Sequence, residues 1–333
     1  MLAIFSRALL VKKPLLNISF QRQARLIFPS MATFSTSSSP TTSSNPSTKR
    51  VGTHNGSFHC DEALGCFMIR LTHKFSSAQI VRTRDSQVLE KLDAVLDVGG
   101  VYDPIRTVMI ITKKSLMRLL VMHLGKEIIA KELGVDEEHP GVQRLFLAIY
   151  KSFMEAIDAI DNGINQYDTN QPPKYVNNTH LSSRVGRLNL DWIDPDQSSE
   201  KENEAFESAM LLAGSEFLDS VCFHVRSWLP ARSLVMECLA ERQDINQSGE
   251  IKVLKRFCPD DRSKSWRVQA VSISPDIFES WKPLPTQWRG LRDDELSKLT
   301  GIPGCIFVHM SGFIGGNQSY EGALTMAKAA LKL

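Results

Sequence analysis

Ten residues, Thr53-His54-Asn55-Gly56-Ser57-Phe58-His59-Cys60-Asp61-Glu62, constrain this chain more than any other stretch. They carry two histidines, an acidic pair, a thiol and a turn-forming Asn-Gly. A short apolar run around Val51 precedes them, and Ala63, Leu64, Phe67, Met68 and Leu71 follow at helical spacing. The stretch therefore reads as the loop joining the carboxyl end of a strand to a helix, the place where open α/β sheets bind ligands. Imidazole plus carboxylate suits a divalent transition metal such as manganese, iron or zinc. Blander readings compete: Asp61 favours a helix amino terminus in its own right, and a histidine in a polar loop is usually just solvated. The concentration of His54, His59 and Asp61 in so short a stretch favours a site.

Further strands and helices follow from the pattern. Gln79-Ile80-Val81 reads as a short strand and Leu92 to Val98 as a stronger one, ending in Gly99-Gly100. Asp97 sits at its carboxyl end, either within reach of a shared metal or as a turn-capping residue. From Val142 to Ile160 the apolar positions predict an amphipathic helix of about five turns, stopped by Asn162-Gly163. Asp161, at the helix carboxyl end, opposes the helix dipole and calls for a cation, which a metal or an arginine would supply. Residues 164–200 are polar and loop-rich, and the domain boundary is placed there: residues 1–48 a leader and Ser-rich linker, 49–195 a metal-binding domain, 196–333 a carboxyl-terminal domain. In the last, a long amphipathic helix contains Phe206, Met210, Phe217 and Val221, and Trp228 to Arg232 breaks it and starts another helix. Ile251 to Phe257 and Trp266 to Ile273 read as an antiparallel pair. A strand ending in His309 then runs into Ser311-Gly312-Phe313-Ile314-Gly315-Gly316, a glycine-rich loop ahead of a final helix from about Tyr320 to Leu331. Strand, glycine loop and helix amino terminus make an anion site.

The first 60 residues contain no Asp or Glu, but do contain Arg7, Lys12, Lys13, Arg22, Arg25, Lys49 and Arg50 and a Ser/Thr run. This is the composition of an organelle transit peptide, with Met1 to Leu16 as a basic amphipathic helix ended by Pro14. Met31 offers an internal start that removes the first five of those cations. No stretch is long and apolar enough to span a membrane. Removing the seven leader charges from the net +2 leaves about −5 on residues 51–333, which argues against nucleic-acid binding by bulk charge. Cys60, Cys66, Cys222, Cys238, Cys258 and Cys305 show no paired spacing and read as reduced thiols.

Thr53–Glu62, the Asp97-Val98-Gly99-Gly100 strand end, Asp158–Gly163, Trp228–Arg232 and His309–Gly316 together resemble the melanocyte-proliferating-gene family, a branch of the DHH-type metal-dependent phosphoesterases. The resemblance covers nearly all of residues 51–333. It implies an α/β fold, in which a DHH-like domain with a largely parallel sheet precedes a smaller α+β domain. It implies His54, His59, Asp61, Asp97 and Asp161 as ligands of divalent metal, Mn²⁺ first and Mg²⁺ second. It implies His309, Ser311, Gly312, Gly315 and Gly316 as holders of substrate phosphate. The activity implied is 3′–5′ exonucleolytic hydrolysis of RNA in mitochondrion and nucleus. The runners-up are hydrolysis of small nucleotides and a catalytically inactive binding homologue.

One departure outweighs the agreements. Where the family continues with Tyr-Asp-His-His-Gln, this chain has Ile105-Arg106-Thr107-Val108-Met109-Ile110-Ile111-Thr112-Lys113-Lys114, and no Asp-His-His occurs anywhere in its 333 residues. Thr107 to Lys114 can be encoded ACC GTT ATG ATC ATC ACC AAA AAG. Read one frame over, those triplets become CGT TAT GAT CAT CAC CAA AAA, or Arg-Tyr-Asp-His-His-Gln-Lys. Residues 106–122 are therefore read as an out-of-frame translation of the missing segment, with frame restored by His123-Leu124-Gly125 and some sequence lost after the motif. Sequencing the transcript from Gly100 to Glu127 is expected to close the frame on Asp-His-His. A message dominated by the present frame would remove the hydrolase reading for this chain and leave the binding homologue.

Overall fold

The computed structural model describes residues 2–6, 48–98, 109–111, 124–167, 175–254, 265–274 and 279–333. The chain divides into two compact units. One runs from Thr41 to Pro230, and the other from Ala231 to Leu333 together with the amino-terminal segment. Strand β1 (Leu2–Ser6) belongs to the second unit. The expected amino-terminal helix is thus a strand over these residues, in keeping with the β preference of Ile and Phe; the rest of that leader lies outside the described residues.

The first unit is built on four parallel strands, β2 (Arg50–Thr53), β3 (Gln79–Arg82), β4 (Ala94–Leu96) and β5 (Met109–Ile111), in the order β3-β2-β4-β5. Helix α1 (Cys60–Leu71) connects β2 to β3, and the short α2 (Ser86–Leu89) connects β3 to β4. The strand alternation serves two faces. Val51, Ala94 and Leu96 pack with α1, while Val95 packs with Leu89 and Leu92. Gly52 points to that second face, where a Cβ would sit 2.6 Å from Leu92 Cδ1. Because β3 and β4 flank β2 on opposite sides, the chain reverses its winding there, and the carboxyl ends of β2 and β4 open side by side. Ile110 and Ile111, in the replaced segment, belong to the edge strand, paired with Val95 and Leu96 of β4. Leu116 to Met122, whose residues suit a helix, lie outside the described residues.

The helices continue with α3 (Lys126–Leu133), α4 (Pro140–Ile149), α5 (Glu155–Asp161), α6 (Leu181–Gly186), α7 (Ser199–Phe223) and α8 (Leu229–Ala240). The five-turn helix expected from Val142 is α4 and α5 joined by a π turn over Tyr150–Met154. The new helix expected from Trp228 to Arg232 begins at Leu229, without an irregular break before it. A second π turn, His224–Trp228, leads straight into α8, where Pro230 is accommodated in the first turn. Nine of the twelve residues of α1 are buried, so this helix lies between the sheet and α7, as an all-round apolar helix must. That contact draws α7 into the first unit, which ends at Pro230 and not near residue 195. The closest approach is at Gly214, where any Cβ would fall inside the Phe67 ring.

The second unit holds the short α9 (Arg242–Ile245), strands β6 (Ile251–Leu254), β7 (Trp266–Ala270), β8 (Cys305–Val308) and β9 (Ile314–Asn317), and helices α10 (Asp293–Thr300) and α11 (Tyr320–Lys332). Its sheet order is β6-β1-β7-β9-β8. The expected direct pairing of β6 with β7 is absent because β1 lies between them, parallel to β6 and antiparallel to β7. The glycine-rich run is a hairpin and not a loop. Gly315 and Gly316 lie in β9, paired with Val268 and Arg267 of β7, and Ala323, Met326 and Ala327 of α11 pack in the same core.

Substituting Gly214→Val is expected to destabilise the first unit by about 1–3 kcal/mol, because the Phe67 ring cannot clear the added methyls without shifting α1. Urea unfolding followed by circular dichroism measures it; an unchanged midpoint would show that this close approach is not required.

Candidate metal centre

His54 follows β2 directly, and its ring is buried at the carboxyl edge of the sheet. Its Nε2 lies 3.0 Å from Glu62 Oε1 and 3.4 Å from Asp97 Oδ2. Its Nδ1 lies 3.2 Å from the Asn55 carbonyl and 3.2 Å from Arg84 Nη2. Asp97 follows β4 with a left-handed backbone, φ 53°, a conformation that aspartate tolerates better than most residues. His59 caps α1, where its backbone N–H donates to Glu62 Oε1 at 2.6 Å. Asp61 and Glu62 occupy the first turn of α1, facing the sheet edge, where the helix dipole favours negative charge. Asp161 ends α5 and reaches the same place from the other side of a cleft of about 580 Å³, lined by His59, Asp61, Ile157, Asp161, His180 and Gly186.

Three overlapping groups each bring one ligand atom per residue within 4.8 Å of the others: His54, His59 and Glu62; His59, Asp61 and Asp161; and Asp61, Glu62 and Asp97. All five metal ligands expected from sequence are thus brought together. Both carboxylate oxygens of Asp61, Oε2 of Glu62 and Oδ1 of Asp97 are buried with no hydrogen-bond partner among the described residues. Buried carboxylate oxygens without a donor are costly, and a divalent cation is the partner this donor set fits. The titration behaviour has the same cause. Burial, reinforced by the Glu62 carboxylate, pushes the Asp61 carboxyl up to about 9. Hydrogen bonds to Asp97 and Glu62 push His54 up to about 9 against its burial. Burial also opposes ionisation of Glu62, but the hydrogen bonds from His54 and the His59 N–H outweigh it and bring Glu62 down to about 2. With no metal, an imidazolium and a retained proton therefore offset the carboxylates. Burial pushes the Cys60 thiol up to about 12, so it is no thiolate nucleophile at neutral pH.

Sequence reading passed over Glu62 as a ligand, although its position three residues after His59 is that of a capping-box acid. It also passed over His180 and Arg84. His180 sat unmarked in the polar passage, and its place in the cleft depends on α6 folding against α5. The five residues assigned to substrate phosphate belong to the second unit. There His309 Nδ1 accepts from the Ser311 N–H at 3.2 Å and lies 3.0 Å from Ser311 Oγ. Gly312 turns with φ 73°, and Gly315 is packed so closely that a Cβ would meet Leu284 Cδ1 at 3.0 Å. Gly315 and Gly316 therefore serve strand packing as well as any ligand.

The family model described as MYG1 exonuclease, uncharacterised protein family UPF0160, matches residues 50–262 and 259–331. The chain belongs to this family. Among similar proteins, the MYG1 exonuclease of Homo sapiens is 43% identical over 325 positions, covering 85% of each chain. The MYG1 protein C27H6.8 of Caenorhabditis elegans is 39% identical over 331 positions, covering 86% of this chain and 96% of its own. The MYG1 protein YER156C of Saccharomyces cerevisiae is 35% identical over 324 positions, covering 85% and 96%. No solved structure matches the chain. In the human comparison, 85% of this 333-residue chain is about 283 residues, so about 42 of the 325 aligned positions have no counterpart here. Relatives of the MYG1 family thus carry internal sequence that this chain lacks.

Removing the Glu62 side chain and replacing the Asp61 carboxyl should differ. Glu62→Ala deprives His54 and the His59 N–H of an acceptor and is expected to cost about 2–3 kcal/mol. Asp61→Asn replaces a carboxyl that no donor satisfies and is expected to stay within about 1 kcal/mol of the parent. Chemical denaturation of metal-free protein distinguishes the two; equal losses would mean that Asp61 is a structural residue.

Proposed function

We propose that the first unit is a DHH-like, divalent-metal-dependent phosphodiester hydrolase acting on RNA ends from the 3′ side, with Mn²⁺ as its preferred ion. The observation that carries this reading is the set of buried, unpartnered carboxylate oxygens at the carboxyl edge of a parallel sheet. Membership of a family whose human member is named an exonuclease supplies the substrate class. His54, Asp61, Glu62 and Asp97 would hold the ion from the sheet side, with His59 and Asp161 completing the set across the cleft mouth. When bound, the ion supplies Lewis-acid polarisation of a phosphoryl oxygen and a more acidic water. The Asn55 carbonyl fixes the tautomer of His54 with Nε2 turned to the carboxylates, an outer contact typical of metal-ligating histidines. Arg84, exposed beside His54, places a permanent cation where an anionic substrate would arrive. The second unit would present His309 and Ser311 to substrate phosphate.

The chain as written has no Asp-His-His, so its ligands suit one ion, and the restored segment would add the histidines that bridge a pair. About forty unmatched positions in the human comparison support lost sequence as the origin of the departure. The acid-free leader supports mitochondrial import, with a second form beginning at Met31. Among the described residues no helix is long and apolar enough to cross a membrane. The missing triplet favours one competing reading, a binding homologue without catalysis.

Protein with the Asp-His-His segment restored is expected to shorten 5′-labelled RNA in Mn²⁺ and to stop in chelator, and Asp61→Asn is expected to lower the rate by at least about a hundredfold. The chain as written should be slower by a similar factor. RNA retained by both proteins regardless of chelator, with no shortening, would establish the binding homologue instead.

A further inference from the structure

The loop that carries His54 and His59 is held by two side chains from elsewhere in the first unit. Asn189, three residues past α6, accepts the Phe58 N–H on Oδ1 at 2.8 Å and donates Nδ2 to the Phe58 carbonyl at 2.9 Å. The same Nδ2 reaches the Gly186 carbonyl at 3.1 Å. Arg82, the last residue of β3, donates Nε to the His54 carbonyl at 3.3 Å, Nη2 to the Gly56 carbonyl and Nη1 to the Glu202 carbonyl at 3.3 Å. Its guanidinium lies 4.6 Å from the Phe206 ring and 5.5 Å from the Phe58 ring, which fixes the fork in place.

Asn189 does something that packing alone would not. The Phe58 ring is only 2% exposed and meets Phe206 edge-on at 5.4 Å, so the side chain anchors the residue without help. An aromatic anchor leaves the flanking peptide planes free to rotate. One carboxamide that satisfies both the N–H and the C=O of Phe58 sets those planes as a strand partner would. The C=O of Phe58 belongs to the peptide bond to His59, so the amide controls the direction in which the His59 ring and the first turn of α1 leave the loop. Gly56, at φ 82°, is the turn that needs such outside support. Ligand sets demand placement to a fraction of an ångström, and a loop built around Asn-Gly does not supply it alone.

We infer that Asn189 is a positioning residue for the metal loop, acting through the Phe58 backbone, with Arg82 holding the other end through the His54 and Gly56 carbonyls. The inference rests on the metal-dependent reading of the site, but its first consequence, a rigid loop, is measurable without metal.

The test uses the full chain, with Asn189→Ala, Asn189→Asp and, as control, Asn177→Ala, whose parent side chain bonds Thr179 in the same passage. Amide hydrogen exchange of residues 54–62 is read in chelator, and Mn²⁺ affinity by calorimetry. Asn189→Ala is expected to speed exchange at Phe58 and His59 at least about tenfold, with β4 and α7 unchanged, and to weaken Mn²⁺ binding by about 10–100-fold. The unfolding midpoint should stay within about 5 °C, because a half-buried amide is lost and no core volume changes. Asn189→Asp, which keeps the acceptor and loses the donor, should fall between, and Asn177→Ala should match the parent. Unchanged exchange in residues 54–62, or faster exchange with Mn²⁺ affinity intact, would overturn the inference. A parent chain that binds no Mn²⁺ would defeat the metal reading itself, and the positioning of the loop would then be decided by exchange alone.

Discussion

Four carboxylates converge on one end of a parallel sheet, and the first unit is arranged around the charge that this creates. Asp61 and Glu62 come from the first turn of α1, Asp97 from the end of β4 and Asp161 from the end of α5. Burying several anions together is unfavourable unless cations or donors compensate. The metal-free chain compensates with the raised His54 and the raised Asp61 carboxyl. That arrangement leaves several buried oxygens without a donor. A site of this kind contributes little to stability and gains its partner when a cation binds, the trade between stability and function seen at functional centres generally.

The surrounding fold explains how such a cluster is tolerated. Helix α1 is buried between the sheet and α7, so Asp61 and Glu62 cannot swing into water. The close approach of Gly214 to Phe67 holds α7 against α1. The loop of residues 54–58 is bound by Arg82 from β3 and Asn189 from beyond α6, so its geometry belongs to the assembled unit. Within the replaced segment, residues 109–111 add strand β5 to the sheet, and no histidine stands among them.

How much of this could be read in advance depended on the range of the interactions. His54, His59 and Asp61 lie in one decapeptide and are visible as a group, whereas Asp97 and Asp161 each end an element where local pattern left a turn cap or an arginine partner equally open. Glu62 was visible as a cap, and only the approach of His54 to 3.0 Å reveals its second role. Asn189, His180 and Arg84 sit in stretches whose composition says loop and nothing more. In the second unit the glycines of β9 suggested a phosphate loop, because glycine signals both permissive turns and close packing. The pairing of β6 and β7 was misjudged because the strand between them comes from residues 2–6, far away in sequence.

By itself, then, the sequence determined the strands around Val81 and Val95, the strand–loop–helix that presents His54 to Glu62, and the absence of the Asp-His-His triplet. These depend on periodicities of two and about 3.6 residues and on residue identity, which a linear chain carries explicitly. Tertiary structure alone decided which donors and acceptors meet: the bond between His54 and Glu62, the carboxamide of Asn189 on the Phe58 backbone, and the insertion of β1 between β6 and β7. Each joins segments through hydrogen bonds whose partners are fixed by packing geometry, and packing geometry has no signature in the order of the residues.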